Sequence, residues 1–221
     1  MINATRIKWE LGNLQPDRFL HHWTGKRGPK IPDELFSRPK VWLEIGAGTG
    51  WFFMDAARLL PDVQFVAIER CKVRGKRLIK RTAKSGLMNM AGFRGNAVPA
   101  VLNAVPKESV DMIFILYPCP FPKNSQRKNR WYLHPVMPHI VSTLKKGGKI
   151  VWASDQKYYI DEAEYVCREV LGLKTLQHGQ IQPNDLNLFH LFPKGRTKFE
   201  YTFLEAGQPC YELISEKAIT S

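Results

Sequence analysis

Three glycines, Gly46, Gly48 and Gly50, follow the apolar stretch VWLEI at residues 41–45 with the spacing G-x-G-x-G. Glycine lets the chain turn tightly and lets a ligand come close to the backbone, because no Cβ atom intervenes. A helix that begins just after such a turn directs free N–H groups to the same place. The sequence therefore predicts a ligand-binding loop between a strand and a helix.

A carboxylate beside this loop indicates the charge of the ligand. Dinucleotide-binding loops place their third glycine one residue later, and Glu44 would repel a pyrophosphate. S-adenosylmethionine carries an ammonium and a sulfonium group and no phosphate, so we expect it to be the cofactor. A nicotinamide-dependent oxidoreductase is the weaker alternative, since both the glycine spacing and Glu44 disfavour it.

Two further positions suit the rest of this cofactor. Glu69 ends the next apolar stretch, about twenty residues beyond the glycines, where a carboxylate can accept hydrogen bonds from both ribose hydroxyls. Asn96 and the backbone of Ala97 are expected at the height of the adenine ring, which an amide can recognise. An ion pair with Arg70 or Lys72 is the alternative interpretation of Glu69.

Short apolar stretches alternate with longer amphipathic ones, and this alternation predicts the framework. Strands are predicted at 41–45, 63–68, 110–116 and 148–154, and helices near 50–60, 70–87, 127–146 and 157–171. Continuous apolar strands separated by helices indicate a parallel sheet covered on both faces. Two further strands are predicted at 173–178 and 197–206.

The segment YPCPFPKNSQRKNR, residues 117–130, follows the fourth strand. Its three prolines end that strand, because proline has no N–H for a sheet ladder. We expect a rigid loop that points at the cofactor and lets Phe121 stack on a nucleic-acid base. The basic residues that follow are expected to hold phosphates: Lys123, Arg127, Lys128 and Arg130.

This segment resembles the proline-rich signature of TrmB-type tRNA (guanine-N7)-methyltransferases, which usually reads P-D-P-W-x-K before a basic run. WASDQKYYIDEAEYV, with Asp155, resembles the T-D segment of that family, and GRTKFE resembles its T-x-F-E segment. With the glycine loop, Glu69 and Asn96, the matches extend from about residue 41 to residue 200. Cys119 stands where the family has aspartate, and Phe121 where it has tryptophan.

The resemblance implies an α/β fold of the Rossmann-like class I methyltransferase type, with a mostly parallel sheet of about seven strands and helices on both faces. It implies methyl transfer from S-adenosylmethionine to N7 of a tRNA guanine, at position 46 of the variable loop. Glu44, Glu69 and Asn96 correspond to cofactor-contacting positions. The implied substrate-contacting positions are Lys123, Asp155, Thr197, Lys198, Phe199 and Glu200.

Asp155 and Cys119 are the candidate catalytic positions. Guanine N7 has an in-plane lone pair and no hydrogen, so its methylation requires no general base, and positioning and electrostatics can carry the step. The Cys119 thiol is expected to pack as a small apolar group. The exchange of aspartate for cysteine permits one alternative, a methyltransferase for another RNA base. A non-catalytic homologue that binds cofactor and RNA is a second alternative, of a different class.

The charge balance favours a nucleic-acid partner. Lys and Arg number 33 against 20 Asp and Glu, a formal net charge of +13, which attracts polyanions. Residues 71–86 carry seven basic residues and no acidic one, and a stripe at every fourth position is predicted to contact tRNA phosphates: Lys72, Lys76, Lys80 and Lys84. Leu78 and Ile79 are expected to face the sheet.

Residues 1–38 are polar and basic and are predicted to form a partly flexible extension to a methyltransferase domain at 39–221. Lys26, Arg27 and Lys30 are expected to join the RNA surface. We expect a cytoplasmic protein with no membrane association, because we find no secretory signal and no apolar run long enough to span a bilayer. The scattered cysteines and histidines predict no metal site, and we expect a monomer or homodimer without an obligate protein partner.

Overall fold

The computed structural model describes residues 28–182 and 188–219, and a seven-stranded sheet forms its centre. The strands are β1 (Lys40–Ile45), β2 (Val63–Glu69), β3 (Met90–Arg94), β4 (Val110–Leu116), β5 (Leu144–Ser154), β6 (Lys174–Gln180) and β7 (Tyr211–Glu216). Their order in the sheet is β3-β2-β1-β4-β5-β7-β6. Strands β1 to β5 pair in parallel, and β7 is antiparallel to β5 and β6. The mostly parallel sheet expected from the sequence is confirmed.

Helices cover both faces of this sheet. They are α1 (Trp51–Leu59), α2 (Lys72–Lys84), α3 (Ala97–Ala104), α4 (Met137–Thr143), α5 (Lys157–Glu169) and α6 (Lys198–Glu205). Buried side chains of α3, α4 and α5 belong to one apolar cluster, and those of α1 and α2 to a second. Within the described ranges, no helix combines the length and apolar character needed to cross a bilayer.

Strand β1 shows how the sequence builds two cores at once. Side chains alternate between the faces of a strand, so Val41 and Leu43 enter the first cluster while Trp42 enters the second. Trp42 packs edge-on against Phe65, with 5.3 Å between the ring centroids. Because both faces are covered, β1 is apolar nearly throughout, which made it recognisable in the sequence.

The strand order reverses between β1 and β4, which are neighbours although helices and strands separate them along the chain. Chains leaving the carboxyl ends of these two strands diverge and open a crevice, where open α/β sheets bind their ligands. The glycine loop follows β1 and the proline segment follows β4. The fold therefore brings these two segments to one crevice.

The strand predicted at 197–206 is wrong, because this stretch forms helix α6. Thr197 is the N-cap of the helix, and its Oγ1 accepts a hydrogen bond from the N–H of Glu200 (3.0 Å). Thr-Lys-Phe-Glu thus has the T-x-x-E spacing of a capping box, a local signal for the start of a helix. The strand after it is β7, while the strand predicted at 173–178 is confirmed as β6.

The continuous helix predicted at 127–146 is also wrong. Two 3-10 helices, Asn124–Asn129 and Trp131–Leu133, precede the short helix α4, and β5 already begins at Leu144. Pro135 and Pro138 explain the interruption, since proline is compatible with a first helical turn but not with a helix interior.

The described part of the predicted extension, residues 28–38, contributes to the main core. Ile31 and Phe36 are buried in the first apolar cluster. Lys30 is exposed. The predicted RNA contacts of Lys26 and Arg27 lie outside the described residues.

Candidate functional site

The glycine loop leaves open space where side chains would otherwise stand. Gly46 and Gly48 have φ angles of +87° and +59°, and a Cβ atom on either would meet no atom within 4 Å. Gly50 has a different role, because it leaves room for the Leu78 side chain: a Cβ atom at position 50 would lie 2.4 Å from Cδ1 of Leu78. Left-handed φ angles favour glycine at all three positions. The first two glycines therefore form a cradle that is open to a ligand.

Glu44 is a buried carboxylate beside this cradle. Among the described residues, its Oε2 atom has no hydrogen-bond partner. Burial, reinforced by the nearby Glu69 carboxylate, raises the pKa of Glu44 to about 8. A buried carboxylate without a partner is costly and is stabilised by a cation. The site therefore suits a positively charged ligand group.

Glu69 ends β2 and fixes the loops around it. The N–H of Gly48 donates to its Oε2 (2.8 Å), and the N–H of Cys71 donates to its Oε1 (2.6 Å). Its charged neighbour is Arg74, at 3.7 Å, and not the Arg70 or Lys72 of the alternative interpretation. Glu69 also lines a cavity, so it can hold the glycine loop and still face a ligand.

Asn96 is the N-cap of α3, and its Oδ1 accepts a hydrogen bond from the N–H of Val98 (3.1 Å). Asn96 and Ala97 line the same cavity as Glu69. The side-chain oxygen of Asn96 therefore caps α3, while Asn96 also lines the cavity.

Two cavities meet at this edge of the sheet. The first, of about 500 Å³, extends from Glu69 and Asn96 to Cys119, Phe121 and Trp131. The second, of about 600 Å³, extends from the glycine loop to α6. Four residues line both cavities: Gly46, Arg74, Leu116 and Tyr117. The two cavities are therefore neighbouring parts of one crevice.

The structure distributes the predicted site residues between the two cavities. Gly46, Glu69, Asn96, Ala97 and Cys119 line the first cavity, and Glu44, Gly46, Gly48, Thr197, Lys198 and Phe199 line the second. In the described part of the chain, neither cavity is lined by Lys123 or Asp155. Asp155 accepts a hydrogen bond from the side chain of Gln156 and follows β5.

The proline segment turns sharply at two points. Tyr117 and Phe121 have φ angles of +49° and +44°, in the left-handed region that residues with side chains rarely adopt. Between them, Cys119 is an exposed free thiol on the wall of the first cavity. The segment thus approaches the crevice as expected, at the cost of local backbone strain.

Glu200, predicted to contact substrate, is fully buried behind the wall of the second cavity. Its carboxylate accepts hydrogen bonds from Nη2 of Arg196 (2.7 Å) and from the hydroxyl of Tyr117 (2.7 Å). Arg196 also pairs with Glu212 of β7. Burial opposes ionisation of Glu200, but Arg196 holds its pKa below the ordinary value. In this structure Glu200 supports Tyr117 and does not reach the cavity.

Arg127 and Arg130 were predicted to bind phosphate, and the structure contradicts both assignments. Each guanidinium is buried and pairs with Glu162 of α5, at 3.2 Å for Arg127 and 2.6 Å for Arg130. Buried arginines that share a carboxylate are not available to RNA. Lys123 and Lys128 of the same run are exposed.

The basic stripe of α2 lies on the surface, as expected. Lys72, Lys76, Lys80 and Lys84 are all exposed, and Leu78 is fully buried against the sheet. Ile79, which was expected to face the sheet, is 44% exposed, so that expectation is wrong. Position 79 lies about 100° around the helix from Leu78, which turns it away from the core.

Several cavity residues escaped the sequence analysis. Tyr117 divides the two cavities, and Arg74 reaches both from the first turn of α2. Trp51 lines the second cavity with 38% exposure. His134 lines the first, where burial lowers its pKa to about 4 and keeps the imidazole neutral. The position of Tyr117 directly after a buried strand was the available signal.

Comparison with known sequences gives consistent matches. A family model described as "Putative methyltransferase" matches residues 38–213. A tRNA (guanine-N(7)-)-methyltransferase of Neisseria gonorrhoeae is 35% identical over 181 residues, which cover 82% of this chain and 73% of that protein. A bifunctional methyltransferase of Rickettsia prowazekii is 28% identical over 199 residues. That match covers 86% of this chain but only 37% of the length of the Rickettsia protein.

Comparison with solved structures agrees on the fold. The crystal structure of the 16S rRNA methyltransferase KamB superposes with a TM-score of 0.61 at 18% identity, covering 88% of this chain and 97% of the other. At this identity the likeness concerns the fold alone. Together with the strand order, it shows the Rossmann-like class I methyltransferase fold.

Proposed function

The chain belongs to the family of TrmB-type tRNA (guanine-N7)-methyltransferases, and from this membership we propose that it transfers a methyl group to N7 of a guanine in tRNA. The methyl donor in this proposal is S-adenosylmethionine. The observation that carries the proposal is the buried, unpartnered carboxylate of Glu44 beside an open glycine cradle. This combination suits a small cationic ligand and disfavours a phosphate-bearing one.

The residues of the crevice fit the donor. Glu44 would bind its ammonium group, and Gly46 and Gly48 leave room for its methionine portion. Glu69 would accept hydrogen bonds from the ribose hydroxyls, and the segment at Asn96 and Ala97 would face the adenine. The bound donor supplies a methyl group that its sulfonium has already activated.

The residues after β4 would place the guanine. N7 attacks through a lone pair and loses no proton, so the protein needs to orient the ring and not to deprotonate it. Tyr117, Cys119 and Phe121 face the crevice from the proline segment, and Thr197 to Phe199 face it from α6. We assign these residues to the guanine side, and we place Lys123 and Asp155 next to it, where a backbone or phosphate of the substrate would pass.

The exposed stripe of α2 would bind the tRNA backbone. Arg74 on the same helix lines both cavities, so the helix leads from the crevice to the surface. The proposed phosphate contacts are Lys72, Lys76, Lys80, Lys84 and Lys128. We propose a cytoplasmic location, because the proposed substrate is tRNA. We also propose that the chain acts as a monomer or homodimer.

A methyl-transfer assay on unmodified tRNA tests this proposal. Transcripts are incubated with the protein and methyl-labelled donor, digested, and their nucleosides identified. We expect 7-methylguanosine, and we expect its loss when the guanine at position 46 of the transcript is replaced by adenine. Glu44→Gln provides a variant with impaired donor binding. A different methylated nucleoside would support the alternative that Cys119 suggests, a methyltransferase for another RNA base. Bound donor and tRNA without product would support a non-catalytic homologue.

A further inference from the structure

The carbonyl oxygen of Phe121 accepts two hydrogen bonds from one arginine, Arg130. Arg130 donates to this oxygen from Nη2 (2.9 Å) and from Nε (3.2 Å). Phe121 is one of the two left-handed residues of the proline segment, and it lines the first cavity. A strained conformation of this kind persists only where surrounding contacts impose it. The Arg130 fork is such a contact.

Arg130 is in turn oriented by helix α5. Its Nη1 pairs with Oε2 of Glu162 (2.6 Å), and its guanidinium lies over the ring of Tyr158, 5.0 Å from the centroid. The hydroxyl of Tyr158 donates to the carbonyl of Pro120 (3.2 Å). Two side chains one turn apart on α5 therefore act on the proline segment. Tyr158 contacts it directly, and Glu162 acts through Arg130.

Glu162 is the centre of this arrangement. Besides Arg130, its carboxylate pairs with Arg127 (3.2 Å) and accepts a hydrogen bond from the hydroxyl of Tyr132 (2.6 Å). Both arginines are nearly buried. Without the carboxylate, two buried guanidinium groups would lose the negative charge that they share, and they would turn toward water to regain solvation. Arg130 would then release the carbonyl of Phe121.

We propose that Glu162 is a positioning residue for methyl transfer. Through Arg130 it fixes the left-handed turn at Phe121 and so presents Cys119 and Phe121 to the crevice. This inference rests on the proposed function, because it assigns the proline segment to the guanine side of the site. It also assigns the basic run a new role: Arg127 and Arg130 shape the loop and do not bind RNA.

Hydrogen exchange tests the structural half of the proposal without any activity. In Glu162→Gln, peptides that cover residues 117–130 are expected to exchange about tenfold faster than in the parent protein. The matched control is Glu169→Gln, which changes an exposed carboxylate on the same helix. Tyr158→Phe removes only the bond to Pro120 and is expected to give a smaller increase in the same peptides. Unchanged exchange in Glu162→Gln would overturn the proposal, whatever Tyr158→Phe shows.

Kinetics and RNA binding test the functional half. Glu162→Gln and Arg130→Lys are each expected to lower kcat about tenfold, and their double variant no further, because both act through one contact. The affinity for donor and the salt dependence of tRNA binding should stay as in the parent.

Arg130→Lys keeps the positive charge, so an unchanged kcat in that variant would overturn positioning. A smaller salt dependence in Arg130→Gln would also overturn it, in favour of phosphate contact. If the parent protein methylates no tRNA, the proposed function fails, while the exchange result still decides whether Glu162 holds the loop.

Discussion

At the scale of single residues, the proposed role of Glu44 predicts that donor binding depends on pH. Its pKa of about 8 in the free protein means that the carboxyl is mostly protonated at pH 7. A cation binds the ionised form, so donor affinity should rise up to about tenfold per pH unit between pH 6 and 8 and then level off. Calorimetry across this range measures the trend. Glu44→Gln should remove it and retain only the titration of the donor itself, so equal slopes in both proteins would contradict the assignment.

The same carboxyl should make the free energy of unfolding fall as pH rises, whereas donor affinity rises with pH. Its pKa is raised on folding, so between pH 4.5 and about 8 the native chain holds a proton that the unfolded chain has released. The free energy of unfolding contributed by Glu44 therefore falls as pH rises through this window. Glu44→Gln should flatten that part of the stability profile, measured by urea unfolding without donor.

Cys119 lies on the cavity wall but has no chemical task in the proposed reaction. Cys119→Ala should therefore leave kcat within a few-fold of the parent value, since N7 transfer needs neither a nucleophile nor a base. Rates of methyl transfer at saturating tRNA check this. A loss of about a hundredfold or more, the size expected for a general acid or base, would contradict it.

At the scale of elements, α6 is attached to the sheet through a buried ion pair. Arg196 precedes the helix, Glu200 lies in its first turn and Glu212 lies on β7. Glu200→Gln should lower the free energy of unfolding by about 3 kcal/mol, because the buried positive charge of Arg196 then loses one of its two carboxylate partners. Urea unfolding at pH 7 measures the change.

The matched control on the same helix is Glu205→Gln, which changes an exposed carboxylate and should stay within about 0.5 kcal/mol of the parent. The pKa of Glu200 is lowered on folding, so its contribution is present above about pH 4.5 and disappears as pH falls through its folded pKa. Equal stabilities of the two variants would show that the pair does not hold α6.

The elements also show what the sequence could and could not predict. Strands β1, β2, β4 and β5 were predicted because both faces are covered and their apolar residues run continuously. The glycine loop and Glu69 were predicted because local spacing determines them. Arg127 and Arg130 were misassigned because their partner, Glu162, lies more than thirty residues away along the chain. Helix α6 was missed although its capping box was visible, because Phe199, Tyr201 and Phe203 alternate as they would in a strand.

At the scale of the whole molecule, the excess positive charge predicts how tRNA binding responds to salt. Replacing Lys72, Lys76, Lys80 and Lys84 by glutamine should reduce the slope of log affinity against log salt by about 0.7–0.9 per lost contact. The value of kcat at saturating tRNA should be unchanged, because the stripe lies outside the cavities. Filter binding at several salt concentrations measures the slope.

Lys107 and Lys174 are exposed lysines outside the stripe and provide the control. Their replacement by glutamine alters the net charge but removes no proposed contact, so the slope should be nearly constant. If both sets of variants changed the slope equally, the net charge of +13 and not the stripe would account for tRNA binding.

The position of β7 between β5 and β6 has a consequence for folding during synthesis. β6 is an edge strand that pairs with β7, yet β7 leaves the ribosome about thirty residues later. The half of the sheet from β3 to β5, with Glu44 and Glu69, can assemble first, since its strands pair among themselves. The wall formed by α6 is secured only when Glu212 arrives to meet Arg196. A nascent chain can thus assemble the strands that carry Glu44 and Glu69 before β7 is available to secure the wall formed by α6.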